Sequence, residues 1–406
     1  MNIIKLRSQF PILKEQINGH QIIYFDNAAT TQKSQVVLDA LLQFYTKYNA
    51  NVHRGIYTLS ERATQAYESA RTYIASMIHA HDETEIVFTH SATHAINMVA
   101  HACVLPMINP GDEIVITELE HHANLLVWQW VCAQKGAILK YIPVNQEGDL
   151  EYASLDAIIT HKTKCVAICA ESNALGIVVD VARIARAAHA VGAVILVDAS
   201  QMAPHQTIDV QALDVDFLVF SGHKMLAPTG IGVLYANKRL HAALKPFEYG
   251  GGMLIDASYQ SITPAPMPYL LEAGSPPVAQ AIALHVACEY LAPLWAHDQL
   301  RSYETRLVSK LIDGLTMVDR VRILGPINKL RGSGHMVSFT VDGVHAHDVA
   351  AYLDRFGICV RAGNLCAQPL ANKLGVQAMV RVSFYLYNTE QEVDRFIDVL
   401  GALRVP

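Results

Sequence analysis

The stretch that decides the fold is VARIARAAHAVGAVILVD, residues 181–198. Its first part repeats apolar residues at helical spacing, and its second part, 193–198, is an apolar run of strand length. This alternation of helix-like and strand-like segments predicts an α/β fold, a mostly parallel sheet covered by helices on both faces. Ligands in such sheets bind at the carboxyl ends of the strands. The other strand-like runs are 85–89, 113–117, 137–143, 165–170 and 217–221.

The pattern changes near residue 250, where three consecutive glycines open a segment rich in Gly, Pro and Ser. A long helix is predicted next, over 278–315, followed by strands at 335–341 and 380–386 with a helix at 346–356 between them. We therefore predict a large domain at 21–290 and a smaller α+β domain at 291–406. Residues 1–20 are expected to form an N-terminal segment that packs near the small domain.

Composition excludes several classes of protein. The chain has 406 residues, 51% of them hydrophobic, and a net charge of -6, which argues against nucleic acid as a partner because phosphate binding relies on clustered Lys and Arg. The N-terminus lacks the apolar segment of a signal peptide, and the longest uninterrupted apolar runs are too short to span a membrane. Seven cysteines at irregular spacing fit a reducing compartment. We expect a soluble, cytoplasmic enzyme.

Lys224 follows the apolar run 217–221 directly. A lysine at the end of a buried strand lies where low polarity depresses the amine pKa, which makes it a nucleophile able to form a Schiff base. An isolated lysine is usually a surface residue. The neighbouring signals below favour the nucleophile.

Two such signals lie at the ends of other strands. Asp198 ends the strand 193–198, where a carboxylate could pair with a pyridinium nitrogen, although a lone Asp there is more often a cap or turn residue. The junction Ser91-Ala92-Thr93 offers backbone N–H groups, hydroxyls and a helix N-terminus to a phosphate, although on its own it is an ordinary helix cap.

The third signal is the pair His121-His122, which follows the strand 113–117. An imidazole there could stack on a cofactor ring and move protons. Metal binding is the rival interpretation, but adjacent histidines diverge and no Cys or carboxylate is spaced to complete a site, so we expect no metal. His345 and His347 are expected to be surface residues.

Together these motifs resemble the fold-type-I pyridoxal-phosphate enzymes, and more narrowly the group II cysteine desulfurases, which include selenocysteine lyases. The resemblance implies a seven-stranded, mostly parallel sheet in the large domain. It covers nearly the whole chain, and the number of motifs in one order makes it specific. The motifs are Tyr24-Phe25-Asp26-Asn27-Ala28-Ala29, Asn51-Val52-His53-Arg54-Gly55, Glu120-His121-His122-Ala123-Asn124, Ser172-Asn173-Ala174-Leu175-Gly176, Val197-Asp198 with Gln201, Ser221-Gly222-His223-Lys224, Glu272-Ala273-Gly274-Ser275-Pro276, Arg361-Ala362-Gly363 with Cys366-Ala367, Arg381 and Tyr387-Asn388-Thr389.

The resemblance also implies residue roles. Lys224 holds pyridoxal 5'-phosphate covalently, Asp198 pairs with the ring nitrogen, and Ser275 reaches the phosphate of a partner subunit, so a homodimer is expected. Arg381 clamps the substrate carboxylate, which suits the paired donors of a guanidinium group. The remaining implied residues are His121 stacked on the ring, Asn173 and Gln201 near the ring hydroxyl, Thr93, Ser221 and His223 on the phosphate, and Arg361, Asn173 and His53 at the substrate.

Cys366 matches the family nucleophile, which receives sulfur from L-cysteine as a persulfide and passes it to an acceptor protein for iron-sulfur clusters or sulfur-containing cofactors. Free cysteines are commonly buried and inert, and the other six are placed in that class. The sequence departs from the family at three places. Asn364-Leu365 stand where a histidine usually precedes the cysteine, Ser91-Ala92 replace a usual Gly-Thr, and Tyr57 replaces a frequent histidine.

Three alternatives stay open at this point. L-selenocysteine is the alternative substrate, which would make the protein a selenocysteine lyase. Another enzyme on the same fold, such as an aminotransferase or a kynureninase-like hydrolase, would not need Cys366. A catalytically weak sulfur-relay or scaffold protein is the alternative from another class.

Overall fold

The fold contains a seven-stranded sheet and a four-stranded sheet. The computed structural model describes residues 2–404. Three two-stranded pairings accompany these sheets. The strands, numbered in chain order, are β1 (Gln16–Ile17), β2 (His20–Gln21), β3 (Ile23–Tyr24), β4 (Ile86–Thr89), β5 (Glu113–Thr117), β6 (Ile138–Ile142), β7 (Thr163–Cys169), β8 (Val194–Asp198), β9 (Phe217–Ser221), β10 (Gly232–Ala236), β11 (Leu254–Ala257), β12 (Ile262–Pro264), β13 (Val321–Leu324), β14 (Met336–Val341), β15 (Ile358–Cys359), β16 (Arg361–Gly363) and β17 (Met379–Ser383).

The helices that cover these sheets follow the alternation predicted from sequence. In α8, the Asp180 side chain caps the helix by accepting from the backbone N–H of Arg183, which satisfies one of the unpaired donors of the first turn. The helices are α1 (Ile3–Arg7), α2 (Gln35–Gln43), α3 (Thr58–Met77), α4 (Ala92–Val99), α5 (Leu105–Met107), α6 (Leu126–Lys135), α7 (Leu155–Ile158), α8 (Val181–Ala190), α9 (Val210–Leu213), α10 (Val278–Trp295), α11 (Gln299–Thr316), α12 (Ile327–Ser333), α13 (Ala346–Asp354), α14 (Gln368–Lys373) and α15 (Glu390–Gly401).

The seven-stranded sheet has the strand order β4-β10-β9-β8-β7-β5-β6. Strands β6, β5, β7, β8 and β9 are parallel to one another, whereas β10 runs antiparallel to both β9 and β4. Strands β5, β8 and β9 are buried at every position, as expected for a parallel sheet covered on both faces. The predicted fold, a mostly parallel seven-stranded sheet, is confirmed.

Sequence periodicity located six strands of this sheet to within two residues but did not reveal β10. Its residues, Gly232 to Ala236, directly follow a turn that contains glycine and proline. The hydrophobic pattern of these five residues did not distinguish a strand from the end of that turn. The loop predicted after residue 250 also contains more structure than expected. Strands β11 and β12 form an antiparallel hairpin there.

The helix predicted over 278–315 is two helices, α10 and α11. They are separated at Ala296–Asp298, where His297 and Asp298 both have φ of 55°, a left-handed conformation that no α-helix continues through. By length and composition the segment Val278–Thr316 could cross a membrane. The uninterrupted apolar runs of the sequence, which are only of strand length, did not indicate this segment. Among the described residues it is the one such segment, and 56% of its most apolar window is buried inside the protein, as in a core helix.

Residues 321–383 contain the strands of a four-stranded sheet of order β13-β14-β17-β16, in which all neighbouring strands are antiparallel. The start of the chain contacts this region. Arg7 Nη1 lies 2.7 Å from Glu392 Oε1, and β3 pairs in parallel with β15. Met1 lies outside the described residues, and the division into 1–20, 21–290 and 291–406 stays a prediction.

Candidate active site

A cavity of about 280 Å³ lies at the carboxyl ends of the central parallel strands, where the α/β fold predicts a ligand. His121 follows β5, Asn173 follows β7, Asp198 ends β8 and Lys224 follows β9. Tertiary packing brings all but two of the predicted site residues to this cavity. Those that line it are Thr93, His121, Asn173, Asp198, Gln201, Ser221, His223, Lys224, Arg361, Cys366 and Arg381.

The two exceptions are His53 and Ser275, which line a second cavity of about 460 Å³ together with Arg54 and Tyr269. The two cavities share no lining residue. His53 pairs there with Glu68, whose Oε1 lies 2.7 Å from His53 Nε2. Within one chain, therefore, neither residue contributes to the first cavity.

The amine of Lys224 is prepared for nucleophilic chemistry by its surroundings. Burial at the end of β9 lowers its pKa, an effect that the negative charge of Asp198 opposes and the positive charge of Arg381 reinforces. A lower pKa raises the fraction of neutral amine at a given pH, and the neutral amine is the nucleophile and base.

His121 is held as a neutral ring. Burial and the charge of Lys224 lower its pKa to about 4. Its Nδ1 accepts a hydrogen bond from the backbone N–H of Ala123 at 3.0 Å, so the proton of the neutral ring resides on Nε2. The neutral ring is therefore a hydrogen-bond donor through Nε2.

The part of the cavity that is lined by Ser91, Ala92, Thr93 and Ser221 suits a phosphate. Helix α4 begins at Ala92, and the Ser91 side chain caps it by accepting from His94 N at 3.2 Å. Ser221 Oγ accepts from Ala92 N at 2.9 Å, which joins the end of β9 to the start of α4. The absence of a side chain at Gly232 on β10 lets the backbone of Ser91 lie close to this strand, because a Cβ there would lie 2.5 Å from the carbonyl carbon of Ser91. A helix N-terminus with hydroxyls beside it attracts anions.

Two arginines at the cavity share one carboxylate, that of Asp26. Arg361 Nη2 donates to Asp26 Oδ2 at 2.6 Å, and Arg381 Nη2 lies 3.4 Å from Asp26 Oδ1. Arg381 Nη1 also donates to the backbone oxygen of Asn173 at 2.6 Å. The motif that begins at Tyr24 contains Asp26, but the sequence assigned it no role. Asp26 lies two residues after the end of β3.

Among the described residues, three that line this cavity have a buried polar atom without a hydrogen bond: Arg381 at Nε, Asn173 at Oδ1 and Glu171 at Oε1. Oε1 of Glu171 lies 2.9 Å from His335 Nδ1, whereas neither Nε of Arg381 nor Oδ1 of Asn173 takes part in an ion pair between described residues. Unpaired buried polar groups are costly, so they usually mark a place where another molecule supplies the partner. A donor on Arg381 beside an acceptor on Asn173 is suited to a ligand that carries both a carboxylate and a hydrogen-bond donor.

Cys366 is exposed, whereas the other six cysteines are buried or half-buried. It and Leu365 both have φ of 55°, a left-handed conformation that costs a non-glycine residue roughly 1–3 kcal/mol. The surrounding contacts hold this conformation. Asn173 Nδ2 donates to Leu365 O at 2.6 Å, and Cys366 N donates to Asn364 Oδ1 at 3.1 Å. Asn364, one of the departures from the family pattern, therefore orders the loop locally.

His122, which the sequence left without a role, contacts the same loop. Its backbone N–H donates to Cys366 O at 2.7 Å, and its Nε2 accepts from the backbone N–H of Gln368 at 3.2 Å. No sequence signal could identify these contacts, because His122 and Cys366 are far apart in the chain. The rings of His121 and His122 do diverge as predicted, with centroids 6.3 Å apart and planes at 48°.

Within residues 2–404, no group of three or more His, Cys, Asp or Glu side chains is arranged to hold a metal ion. His345 and His347 are exposed, as predicted, and the His345 side chain caps α13 by accepting from His347 N. The two residues therefore lie at the start of a helix.

Comparison with known proteins identifies similar chains along the full length. The class-V aminotransferase family matches residues 23–396. The chain is 44% identical to a probable cysteine desulfurase of Halobacterium salinarum, covering 100% of this chain and 97% of that one. It is 42% identical to a cysteine desulfurase of Dickeya dadantii, covering 97% and 95% of the two chains.

Solved structures agree with these sequence matches. The apo structure of a cysteine desulfurase from Thermococcus onnurineus superimposes with a TM-score of 0.93 at 37% identity, covering 98% of this chain and 97% of the other. The cysteine desulfurase CsdA from Escherichia coli gives a TM-score of 0.91 at 38% identity and covers 98% of both chains.

Proposed function

Because the chain belongs to the class-V aminotransferase family, and within it to the cysteine desulfurases, we propose that it converts L-cysteine to L-alanine and receives the sulfur on Cys366. The observation that carries this proposal is that Cys366, Lys224 and Arg381 line one cavity. The exposed thiol of Cys366 can accept sulfur, and Lys224, whose pKa is lowered, can act as a base. The buried guanidinium of Arg381 has a donor without a partner among the described residues and can bind a carboxylate.

The same cavity fits pyridoxal 5'-phosphate. The Asp198 carboxylate, 7% exposed, suits a protonated ring nitrogen, and the start of α4 with Thr93, Ser221 and His223 suits the phosphate. Lys224 would hold the cofactor covalently, His121 would stack on its ring, and Gln201 and Asn173 would lie near the ring hydroxyl. When bound, the cofactor supplies a pyridinium ring that accepts electrons released at the substrate Cα.

Arg381 binds the substrate carboxylate in this proposal. Its Nη1 and Nη2 already face Asn173 O and Asp26, which leaves Nε without a partner inside the cavity. A carboxylate there gives the buried donor a charge-assisted hydrogen bond. Arg361, whose guanidinium also contacts Asp26, places a second positive charge at the same edge.

Lys224 and His121 handle the protons. Burial lowers the pKa of the Lys224 amine, so the neutral form can remove the proton from the substrate Cα. His121 donates through Nε2 because its Nδ1 is occupied by Ala123 N. Its pKa of about 4 keeps the ring neutral at physiological pH, so Nε2–H remains available as a hydrogen-bond donor to the bound molecule.

Cys366 completes the reaction as a thiolate. It attacks the substrate sulfur, so that an S–S bond forms on Cys366 while the bond between the substrate Cβ and sulfur breaks. The electron pair of that bond goes to the carbon fragment, which takes up a proton and leaves as alanine. The persulfide sulfur then passes to an acceptor protein or is reduced by a thiol.

A homodimer would bring the second cavity into use. Ser275 and His53 lie outside the first cavity of their own chain, so we propose that Ser275 reaches the phosphate, and His53 the substrate region, of a partner subunit. Large apolar side chains in the segments that adjoin these lining residues in the sequence are exposed. They are Ile56 at 96%, Tyr57 at 54%, Tyr249 at 72%, Ile255 at 70% and Tyr259 at 104% exposure.

The cellular setting is proposed from the cysteines. All seven are free in the structure, which fits a cytoplasmic protein because structural disulfides form in oxidising compartments. The sulfur is proposed to supply iron-sulfur clusters or sulfur-containing cofactors through an acceptor protein. The large domain at 21–290 would carry the cofactor and the small domain at 291–406 would carry Cys366.

The test is to incubate the purified protein with L-cysteine, pyridoxal 5'-phosphate and a reductant, and to measure alanine and sulfide together. Equal amounts of both are expected. Pyruvate in place of alanine would indicate a lyase of another type, and protein that binds the cofactor but forms no alanine would indicate a sulfur-relay or scaffold role. Much faster turnover of L-selenocysteine alone would indicate a selenocysteine lyase.

A further inference from the structure

One residue, His122, makes two hydrogen bonds to the loop that carries Cys366 and to the helix that follows it. The backbone N–H of His122 donates to Cys366 O at 2.7 Å. The ring Nε2 accepts from the N–H of Gln368, two residues further on, at 3.2 Å. His122 is half-buried and follows β5, so it is anchored to the element that also positions His121.

The ring contact satisfies a helix terminus. Gln368 is the first residue of α14, whose N-cap residue, Ala367, provides no side-chain cap. The first N–H groups of a helix have no partner within the helix and need an external acceptor. His122 Nε2 is that acceptor for Gln368, so the imidazole fixes the start of α14 and with it the end of the Cys366 loop.

The loop needs such fastening because its conformation is strained. Leu365 and Cys366 are consecutive non-glycine residues with φ of 55°. Left-handed backbone at such residues persists only where surrounding contacts impose it. Asn173 holds Leu365 O from one side, and Asn364 Oδ1 accepts from Cys366 N within the loop. His122 supplies the contacts on the other side of the thiol.

From these contacts we propose that His122 is a positioning residue for Cys366: its unprotonated Nε2 caps α14 and thereby holds the thiol loop in its left-handed conformation at the cavity. The inference rests on the proposed function only in naming the reaction that this position serves. The ring does not contact the substrate in this proposal. Because Nε2 is the acceptor, the proton of the neutral ring lies on Nδ1.

Three variants isolate the acceptor from the ring. His122→Gln keeps a carbonyl oxygen at a reach similar to that of Nε2. His122→Phe keeps the shape of the ring but has no acceptor, and His122→Asn has an acceptor on a side chain too short to reach Gln368. All three retain the backbone contact to Cys366 O. The thermal unfolding midpoint of each variant serves as the check that the fold is intact.

The first measurement is hydrogen exchange by mass spectrometry on a peptide that covers Asn364 to Gln368, made on the protein with pyridoxal 5'-phosphate bound. Amides of this loop should exchange at least about tenfold faster in His122→Phe and His122→Asn than in the wild type, since a broken cap opens locally. His122→Gln should exchange like the wild type. Equal protection in the wild type and His122→Phe would overturn the proposal.

The second measurement is the steady-state turnover of L-cysteine. His122→Phe should lower kcat by about 10- to 100-fold, the scale expected for displacing a reacting group by about 1 Å, and leave KM within about threefold. His122→Gln should recover most of kcat. A His122→Gln variant as impaired as His122→Phe would show that Nε2 is not the relevant atom. If the wild type makes no alanine, the proposed function fails while the exchange measurement still decides the role of His122.

Discussion

Nη2 of Arg381 lies 3.4 Å from Oδ1 of Asp26, and both residues are buried. Burial lowers the pKa of Arg381 to about 10, and the charge of Asp26 acts against that effect. Arg361 contacts the other oxygen of the same carboxylate at 2.6 Å. One acidic side chain from the N-terminal part of the chain therefore orients two basic side chains from the C-terminal part.

Asp26→Asn should weaken substrate binding more than it slows the chemical step. The amide cannot compensate the positive charges of Arg361 and Arg381, and hydrogen bonds to charged groups contribute about 1.5–3 kcal/mol, so KM for L-cysteine should rise about tenfold or more. The measurement is steady-state kinetics, with the exposed Asp39→Asn as the control. An unchanged KM would show that Asp26 does not orient the carboxylate site.

Lys224→Ala should abolish covalent attachment of the cofactor. Purified wild-type protein is expected to be yellow, and borohydride reduction followed by peptide mapping should place the pyridoxyl group on Lys224, because it is the lysine that lines the cavity. The variant should bind the cofactor weakly and without a covalent bond. A label on another lysine, such as Lys33, would contradict the cofactor assignment.

Cys366→Ala should lose far more activity toward L-cysteine than toward L-selenocysteine. Without the thiol no group accepts sulfur, whereas selenium leaves carbon more readily because the selenol is more acidic and its bond to carbon is weaker. Binding of cofactor and substrate should persist, since the proposed function assigns those steps to Lys224, Asp198 and Arg381. Cys359→Ala is the matched control, because burial raises the pKa of that half-buried thiol to about 11.

Near wild-type turnover of L-cysteine by Cys366→Ala would instead favour an aminotransferase or a hydrolase. Equal loss with both substrates would show that Cys366 also orders the site or donates a proton.

The protein should sediment as a dimer, and charges introduced on the exposed hairpin β11–β12 should weaken it. Ile255 and Tyr259 are 70% and 104% exposed, so Ile255→Asp with Tyr259→Asp should leave the fold intact and shift the protein toward monomer. Analytical ultracentrifugation measures this, with Ile4→Asp, at another exposed apolar position, as the control. A fully active wild-type monomer would exclude the shared site.

His223 should make the cofactor-free protein less stable in acid. Burial and the charges of Lys224 and Lys33 lower its pKa from 6.5 to about 4, so below pH 6.5 the unfolded chain binds a proton that the folded protein does not. The free energy of unfolding should therefore fall as the pH drops from 6.5 toward 4. Denaturant titrations should show a weaker pH dependence in His223→Gln than in the wild type or in His161→Gln, which alters an exposed histidine.

The sequence alone was sufficient for the parallel part of the large sheet and for the cavity at its carboxyl ends. Buried strands such as 193–198 and 217–221 appear as uninterrupted apolar runs because both faces are covered. Residues that directly follow parallel strands meet at one edge of the sheet. The predicted fold class therefore already placed Asp198 and Lys224 at the same edge of the sheet. The same reasoning applied to His121.

The resemblance to a known family added residues that local patterns do not distinguish. Arg381 lies within β17 and Cys366 in an irregular loop, and neither position has a signal of its own. The structure places both at the cavity of Lys224. It also places Ser275 and His53 in a second cavity, which shares no lining residue with the first.

What the sequence by itself determined is the order of buried strands and helices, because burial imposes a period that is visible over a few residues. Only the tertiary structure decided the contacts between distant segments: Asp26 with Arg361 and Arg381, and His122 with the Cys366 loop. The tertiary structure alone likewise revealed the break between α10 and α11 and the antiparallel strand β10. Such contacts depend on how complete elements pack together, and the free energy of packing is shared among residues far apart in the chain, so no local pattern records it.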